Sequence, residues 1–391
     1  MSTPASSARW SSLPRGLIGT LALIAVVEAS FRRHADDFSR PESANWRYAA
    51  IKASRDSKDA EILSFGTSLV KYGVQSRVVS RVTGKRTFNL AVFCGQMSSS
   101  YFLLKRTLAA GARPRLLLVD CQDGPVPREH SGERLEGVQS SLRWWPQILS
   151  FRDTLELAWD TKDPALFADI STAKLLASYR ARDEIRTSIQ AAFRGDSSLT
   201  TADIRTLRRN WAMNGGTHVA PRKPAVAPNE AVSQSVPIAK FDDRQFLRNK
   251  LAHAHAQRFV DLASQHGIRV LWLLPPIGPN AQRDRDRIGL DDYFTQQARW
   301  IQTQSDLITV VDGRRAGYGA STFADTVHLD RAGAGTFSQD VAEVIKHAID
   351  HPESLPRWVE LPPYRDLPER MPLEDVGQSR LAISEREKIG R

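Results

Sequence analysis

Cysteine is nearly missing from this chain: Cys94 and Cys121 are the two among 391 residues. That excludes a disulfide framework and any all-cysteine zinc site. A single bridge between the two stays open if the chain is exported. No G-x-x-x-x-G-K-[ST] phosphate loop occurs, and Gly84, Gly95 and Gly111 do not make a dinucleotide fingerprint. No cofactor is therefore expected. Lys and Arg outnumber Asp and Glu by 54 to 44, a net charge of +10, yet no dense basic patch interleaved with aromatics stands out. The excess reads as a solvated surface, and nucleic acid is not expected as a partner. No metal site is expected either, because His253 and His255 form H-x-H on a helix and point nearly opposite ways. His266 stands just before the helix-ending Gly267 and reads as a charge at a helix C-terminus.

What is present is ordinary globular composition, 41% hydrophobic and 25% charged. It excludes a wholly disordered chain, a collagen, a coiled coil and a polytopic membrane protein. The length suits two or three domains, or one large domain with insertions.

The first 41 residues read as a signal sequence or membrane anchor with its linker. Arg9 and Arg15 precede the apolar run Leu17 to Val27, and Arg32 and Arg33 follow it. The run has the length of a signal-peptide core, and Val27 and Ala29 are spaced like the small residues before a cleavage site. Extended to Phe31 it makes a marginal, tilted transmembrane helix carrying Glu28. Cleaved signal and retained anchor both remain open. Either places the protein in the cell envelope, anchored and facing outward or secreted, with the membrane met through this segment.

From residue 42 a polar helix leads into alternating strands and helices. Strands are expected at Glu61–Phe65, Thr87–Val92 and Arg115–Asp120, with helices near 69–81 and 97–110 between them. Their apolar runs fit strands buried on both faces. Residues 125–241 hold helical stretches and then a Pro-rich loop, and they read as an insert. Trp144-Trp145 in it suits packing of the insert onto the core, or a sugar-stacking face. The alternation resumes with a helix near 242–266, a strand at Arg269–Leu274, a helix near 291–304, a strand at Leu307–Asp312 and a last helix over 331–349. The tail from 351 to 391 reads as irregular. These elements predict an α/β fold, a three-layer α/β/α sandwich. Its flavodoxin-like parallel sheet has five strands in order 2-1-3-4-5 and a helical insert after the third. The domain then runs 42–124 and 242–350. In such sheets chemistry sits beyond the C-terminal strand ends.

Three constellations fall there. The first strand ends in Gly66-Thr67-Ser68, which puts a serine hydroxyl on a strand-to-helix turn beside free N–H groups. The second is followed by Gly95, where backbone can approach a ligand closely. After the fifth come Asp325 and His328, spaced so that the carboxylate accepts from one imidazole nitrogen while the other faces a hydroxyl. Taken singly, Ser68 is a helix cap, Gly95 a turn residue, and Asp325 a cap beside a surface histidine.

Together, in this order, the blocks resemble the SGNH/GDSL hydrolase superfamily. Phe65-Gly66-Thr67-Ser68-Leu69 is similar to its first block, with Thr where the family has Asp. Gly95 is similar to its second, and Asp325-x-x-His328 to its last. The resemblance covers residues 60–125 and 245–348. It implies a serine esterase or acyl-ester hydrolase with Ser68 as nucleophile, His328 as base and Asp325 orienting it. It implies likewise that the N–H groups of Ser68 and Gly95 form the oxyanion hole. The family's third block supplies an Asn donor that this chain lacks. Asp120-Cys121-Gln122-Asp123 stands there, and Gln122 is the expected substitute, since an ionised Asp123 repels an oxyanion. The exported form also resembles SGNH-type proteins that handle acyl groups on envelope polysaccharides, alginate-acetylation proteins included. Two alternatives follow: an O-acyltransferase on an envelope polysaccharide, and a catalytically silent envelope binding protein. The expected partner is an acyl ester, which an acylated polysaccharide would supply.

Overall fold

Strands form from short, mostly apolar runs that can be covered on both faces. The computed structural model describes residues 15–34, 39–121, 144–194, 201–222 and 250–389. It is an α/β structure with β1 (Ile62–Phe65), β2 (Thr87–Asn89), β3 (Leu116–Asp120), β4 (Arg269–Leu274), β5 (Ile308–Asp312) and β6 (Trp358–Glu360). All pair in parallel, in the order β2-β1-β3-β4-β5-β6. The expected order of the first five strands holds, and the expected count of five is corrected to six. The sixth comes from the tail read as irregular, which also carries the helix Val376–Ile389. β6 has three residues between Pro356 and Pro362, too few to show a period. It is held by bonds at both ends, Val310 N–H to Arg357 O at 2.9 Å and Leu361 N–H to Asp312 O at 2.8 Å.

Alternate strand residues feed two cores. Leu63, Phe65, Leu117, Val119, Trp272 and Val310 belong to one, with side chains of the helices Pro41–Ser54, Met97–Ala109, Lys250–Gln265 and Leu290–Gln302. Ile62, Leu116, Leu118, Leu271 and Val311 belong to the other, with side chains of Ser68–Gly73, Ser76–Thr83 and Arg331–Asp350. The helix expected over 69–81 is thus two. It breaks at Val74-Gln75, where Ser338 Oγ accepts the Gln75 N–H at 2.7 Å.

Between β3 and β4 the described insert is helical: Trp145–Ile148, Phe151–Thr161, Pro164–Leu175, Ala177–Arg180, Arg182–Arg194 and Thr201–Met213. Trp144 and Trp145 dock it, their ring centroids 5.5 and 5.2 Å from that of Trp46. The Pro-rich loop beyond 222 and the start of the helix expected at 242 lie outside the described residues.

The N-terminal apolar run is a helix, Arg15–Arg33. Glu28 turns into the insert, accepting from the N–H groups of Ala177 and Ser178 and from Ser178 Oγ. Arg32 reaches Leu175 O at 2.7 Å. The expected transmembrane helix is not found: among the described residues no helix is long and apolar enough to cross a membrane.

Candidate active site

β1 delivers Ser68. It ends at Gly66, whose φ of +120° suits glycine alone, and an added Cβ would stand 1.9 Å from Asp120 Oδ1. That crowding has a purpose. Asp120, at the end of β3, accepts from Thr67 N at 2.7 Å and Thr67 Oγ1 at 2.6 Å, while Thr67 Oγ1 caps the next helix through Leu69 N–H at 3.1 Å. Thr67 is therefore fastened to the neighbouring strand, and Ser68 opens the helix Ser68–Gly73.

Asp325 and His328 come from a turn well after β5. A bridge between Phe323 and Leu329 closes the turn that holds them, and Ala324 N–H donates to His328 O at 2.8 Å. Asp330 then caps the helix Arg331–Asp350 through the N–H groups of Ala332 and Gly333. Within the turn Asp325 Oδ1 accepts from the N–H groups of Val327 and His328 at 2.9 and 2.8 Å. Asp325 Oδ2 lies 2.7 Å from His328 Nδ1, and His328 Nε2 lies 2.8 Å from Ser68 Oγ. The three predicted residues, 260 positions apart at the widest, are in one hydrogen-bonded series.

Burial acts to raise the Asp325 pKa, but the bonds from His328 and the two backbone N–H groups outweigh it and hold the carboxyl at about 2. An ionised Asp325 only accepts, so Nδ1 carries the imidazole proton and Nε2 is left as the acceptor facing Ser68. That tautomer is the one a general base needs.

Two neighbours were not foreseen. Tyr72 stacks on His328, centroids 4.4 Å apart and planes at 23°. Its spacing of four from Ser68 on one helix was the available signal. Tyr72 also meets His218 at 4.3 Å. His218 belongs to the end of the insert, inside the stretch read as a Pro-rich loop. It is positioned by its N–H bond to Lys71 O at 2.9 Å and by Trp211 Nε1, which donates to its Nδ1 at 3.1 Å. Burial foremost, then the charges of Lys71 and His328, press its pKa down to about 3 and keep it neutral.

The expected oxyanion set changes. Gly95 N–H is bonded to Val92 O at 3.0 Å, so it is not free to donate. Gly95 instead permits close approach: a Cβ there would lie 2.3 Å from Gly66 O. Within the same turn Asn45 Oδ1 accepts from Phe93 N–H at 2.8 Å, and Trp46 Nε1 donates to Phe93 O at 2.8 Å. Cys94 sits between in the left-handed region, φ 51°. Among the described residues no acceptor takes the N–H of Cys94 or of Ser68. Gln122, the expected third donor, lies outside the described residues.

A second serine–histidine pair shows what a structural arrangement looks like. Ser98 Oγ is 3.0 Å from His255 Nδ1, and His255 Nε2 is 3.4 Å from Asp160 Oδ2. Both Ser98 and His255 are buried, and Nδ1 is shared with Leu251 O at 3.1 Å. This set ties three helices together, with its serine and histidine closed off from solvent. His253 faces elsewhere, stacked on Trp300 at 4.6 Å. The cysteines are unbridged, Cys94 exposed and Cys121 buried. No group of three potential metal ligands occurs among the described residues.

Compared with known proteins, the chain matches no family model and no curated sequence.

Proposed function

We propose that this chain is a serine esterase, an acyl-ester hydrolase of the SGNH/GDSL type on a three-layer, flavodoxin-like α/β/α sandwich. The observation that carries the reading is the series Ser68 Oγ, His328 Nε2, His328 Nδ1, Asp325 Oδ2, at 2.8 and 2.7 Å. Ser68 Oγ attacks the acyl carbon while Nε2 takes its proton. Asp325 stabilises the imidazolium that results. The N–H groups of Ser68 and Cys94 receive the oxyanion, in place of the Ser68 and Gly95 pair. Collapse expels the alcohol, which leaves with the proton from Nε2. Water, deprotonated by the same nitrogen, releases the acid and restores Ser68. The basic-flanked apolar N-terminus supports work in the cell envelope on an acyl ester.

A fluorophosphonate probe tests this. The wild type is expected to label and Ser68→Ala to stay unlabelled, and His328→Ala should lower p-nitrophenyl acetate turnover by at least about 10²-fold. A folded wild type that takes no label overturns the enzymatic reading and leaves the silent binding protein. Acetyl transfer onto an added polysaccharide, faster than hydrolysis, replaces hydrolase by O-acyltransferase.

A further inference from the structure

Three faces divide the insert helix Phe151–Thr161. Thr154, Leu157 and Ala158 are buried. The acids turn sideways, onto cations of other helices. Asp153 and Glu156 each meet Lys105 Nζ at 2.6 Å, and Asp160 meets Arg258 Nη2 at 2.8 Å. The third face carries Phe151, Leu155 and Trp159, spaced by four and so aligned in one stripe. They are 49%, 57% and 82% exposed. Arg152 and Lys162 stand exposed at the two ends of the stripe and make no ion pair among the described residues. The helix thus turns its negative charge inward and presents outward a face of apolar side chains rimmed by cations.

The stripe runs on into other uncovered apolar surface. Lys174 Nζ lies 5.3 Å from the Phe151 ring centroid. The next residue, Leu175, is exposed, and its carbonyl accepts from Arg32 Nη2 at 2.7 Å. Arg32 and Arg33 close the N-terminal helix Arg15–Arg33. On that helix Leu17, Ile18, Leu21, Leu23, Ile24 and Val26 are exposed, and at 3.6 residues per turn they point all round the axis. A flat protein surface covers one side of a helix, whereas a helix apolar on every side calls for a surrounding apolar medium. Trp, Phe and Leu on one face, Arg and Lys at its rim and acids turned away make the pattern of a helix lying in the interface of an anionic bilayer.

We infer that the insert docks on a membrane surface through Phe151, Leu155 and Trp159, with Arg152 and Lys162 on anionic lipid headgroups. The contact lies along the surface and needs no spanning helix. It is a second foothold beside the N-terminal run, and it does not depend on the esterase reading. Two footholds fix how the sheet stands relative to the bilayer, where a single tether would let it turn.

The full chain is tested on vesicles of equal parts phosphatidylcholine and phosphatidylglycerol, with and without bromine on the acyl chains. Bromine quenches tryptophans that reach the acyl region, and subtracting the emission of Trp159→Phe from that of the wild type isolates Trp159. That difference emission should move to shorter wavelength on vesicles and lose at least about half its intensity on brominated ones. Arg152→Glu combined with Lys162→Glu should reduce the loss at least about twofold, and added salt should reduce it in the wild type. A difference emission that vesicles leave unchanged overturns the inference, even where the N-terminal run binds them. Quenching indifferent to both charge reversal and salt overturns the role of the two cations. A dimer in solution that Trp159→Ser dissociates, with no quenching by brominated lipid, assigns the face to a second copy of the chain and overturns the inference as well.

Discussion

Lys71 offers the sharpest quantitative test of how the helix that opens at Ser68 is held. Its side chain is fully buried, and Nζ has no hydrogen-bond partner. What surrounds the ammonium is aromatic: Nζ lies 5.4 Å from the Trp211 ring centroid and 5.8 Å from that of Tyr48. Burial lowers its pKa from 10.5 to about 7. A difference of about 3.5 units corresponds to roughly 5 kcal/mol at about 1.4 kcal/mol per unit. The two ring faces return about 1–2 kcal/mol of that through cation–π attraction, so desolvation wins by about 3 kcal/mol. The sign follows from linkage. The folded pKa lies below the unfolded one, so the penalty is complete below pH 7 and is relieved as pH rises toward 10.5. Lys71→Met keeps an unbranched shape without the charge. It should raise the unfolding free energy by about 2–4 kcal/mol at pH 7, and the gain should shrink at pH 10. Urea titrations of both proteins at the two pH values read this directly. A variant no more stable than wild type at pH 7, with a difference that does not change with pH, would refute the reasoning and require a partner for Nζ.

Two further outcomes follow from the site's geometry. Gly66→Ala must place a methyl group 1.9 Å from Asp120 Oδ1 at a φ of +120°, against a carboxylate pinned by Thr67. It should cost about 2–4 kcal/mol and depress the melting temperature by several degrees, so an unshifted melting curve sinks that account. Tyr72→Phe keeps the plate on which His328 stacks and should leave kcat within about threefold, whereas Tyr72→Leu should lower kcat about tenfold with KM little changed. Equal kcat for the two variants would show that the stacking does not position the base.

Much of this was written locally. β1, β3, β4 and β5 are continuous apolar runs closed by Gly66, Cys121, Pro275 and Gly313, and such runs announce themselves without any neighbour. Ser68, Asp325 and His328 were legible because each follows a strand end, where the topology of a parallel sheet leaves side chains free to act. Short-range signals of this kind survive in one dimension because hydrophobic period, glycine punctuation and a spacing of three all act within a few residues.

The rest depended on contacts between distant segments, which no local pattern encodes. β6 is three residues that become a strand only because β5 offers an unpaired edge. Gly95 read as an oxyanion donor, but Val92 O takes its N–H, and it is Cys94 N–H beside it that finds no acceptor among the described residues. His218 looked like linker, yet the end of the insert folds back to lay it against Tyr72. Ser98, His255 and Asp160 repeat the same residue types and differ in the burial of the serine and histidine and in the Leu251 carbonyl that shares the histidine nitrogen facing the serine. Sequence by itself settled which side chains stand at the ends of strands. Tertiary structure decided which of their polar groups remain unsatisfied, because a hydrogen bond is consumed by whichever partner the fold brings within about 3 Å.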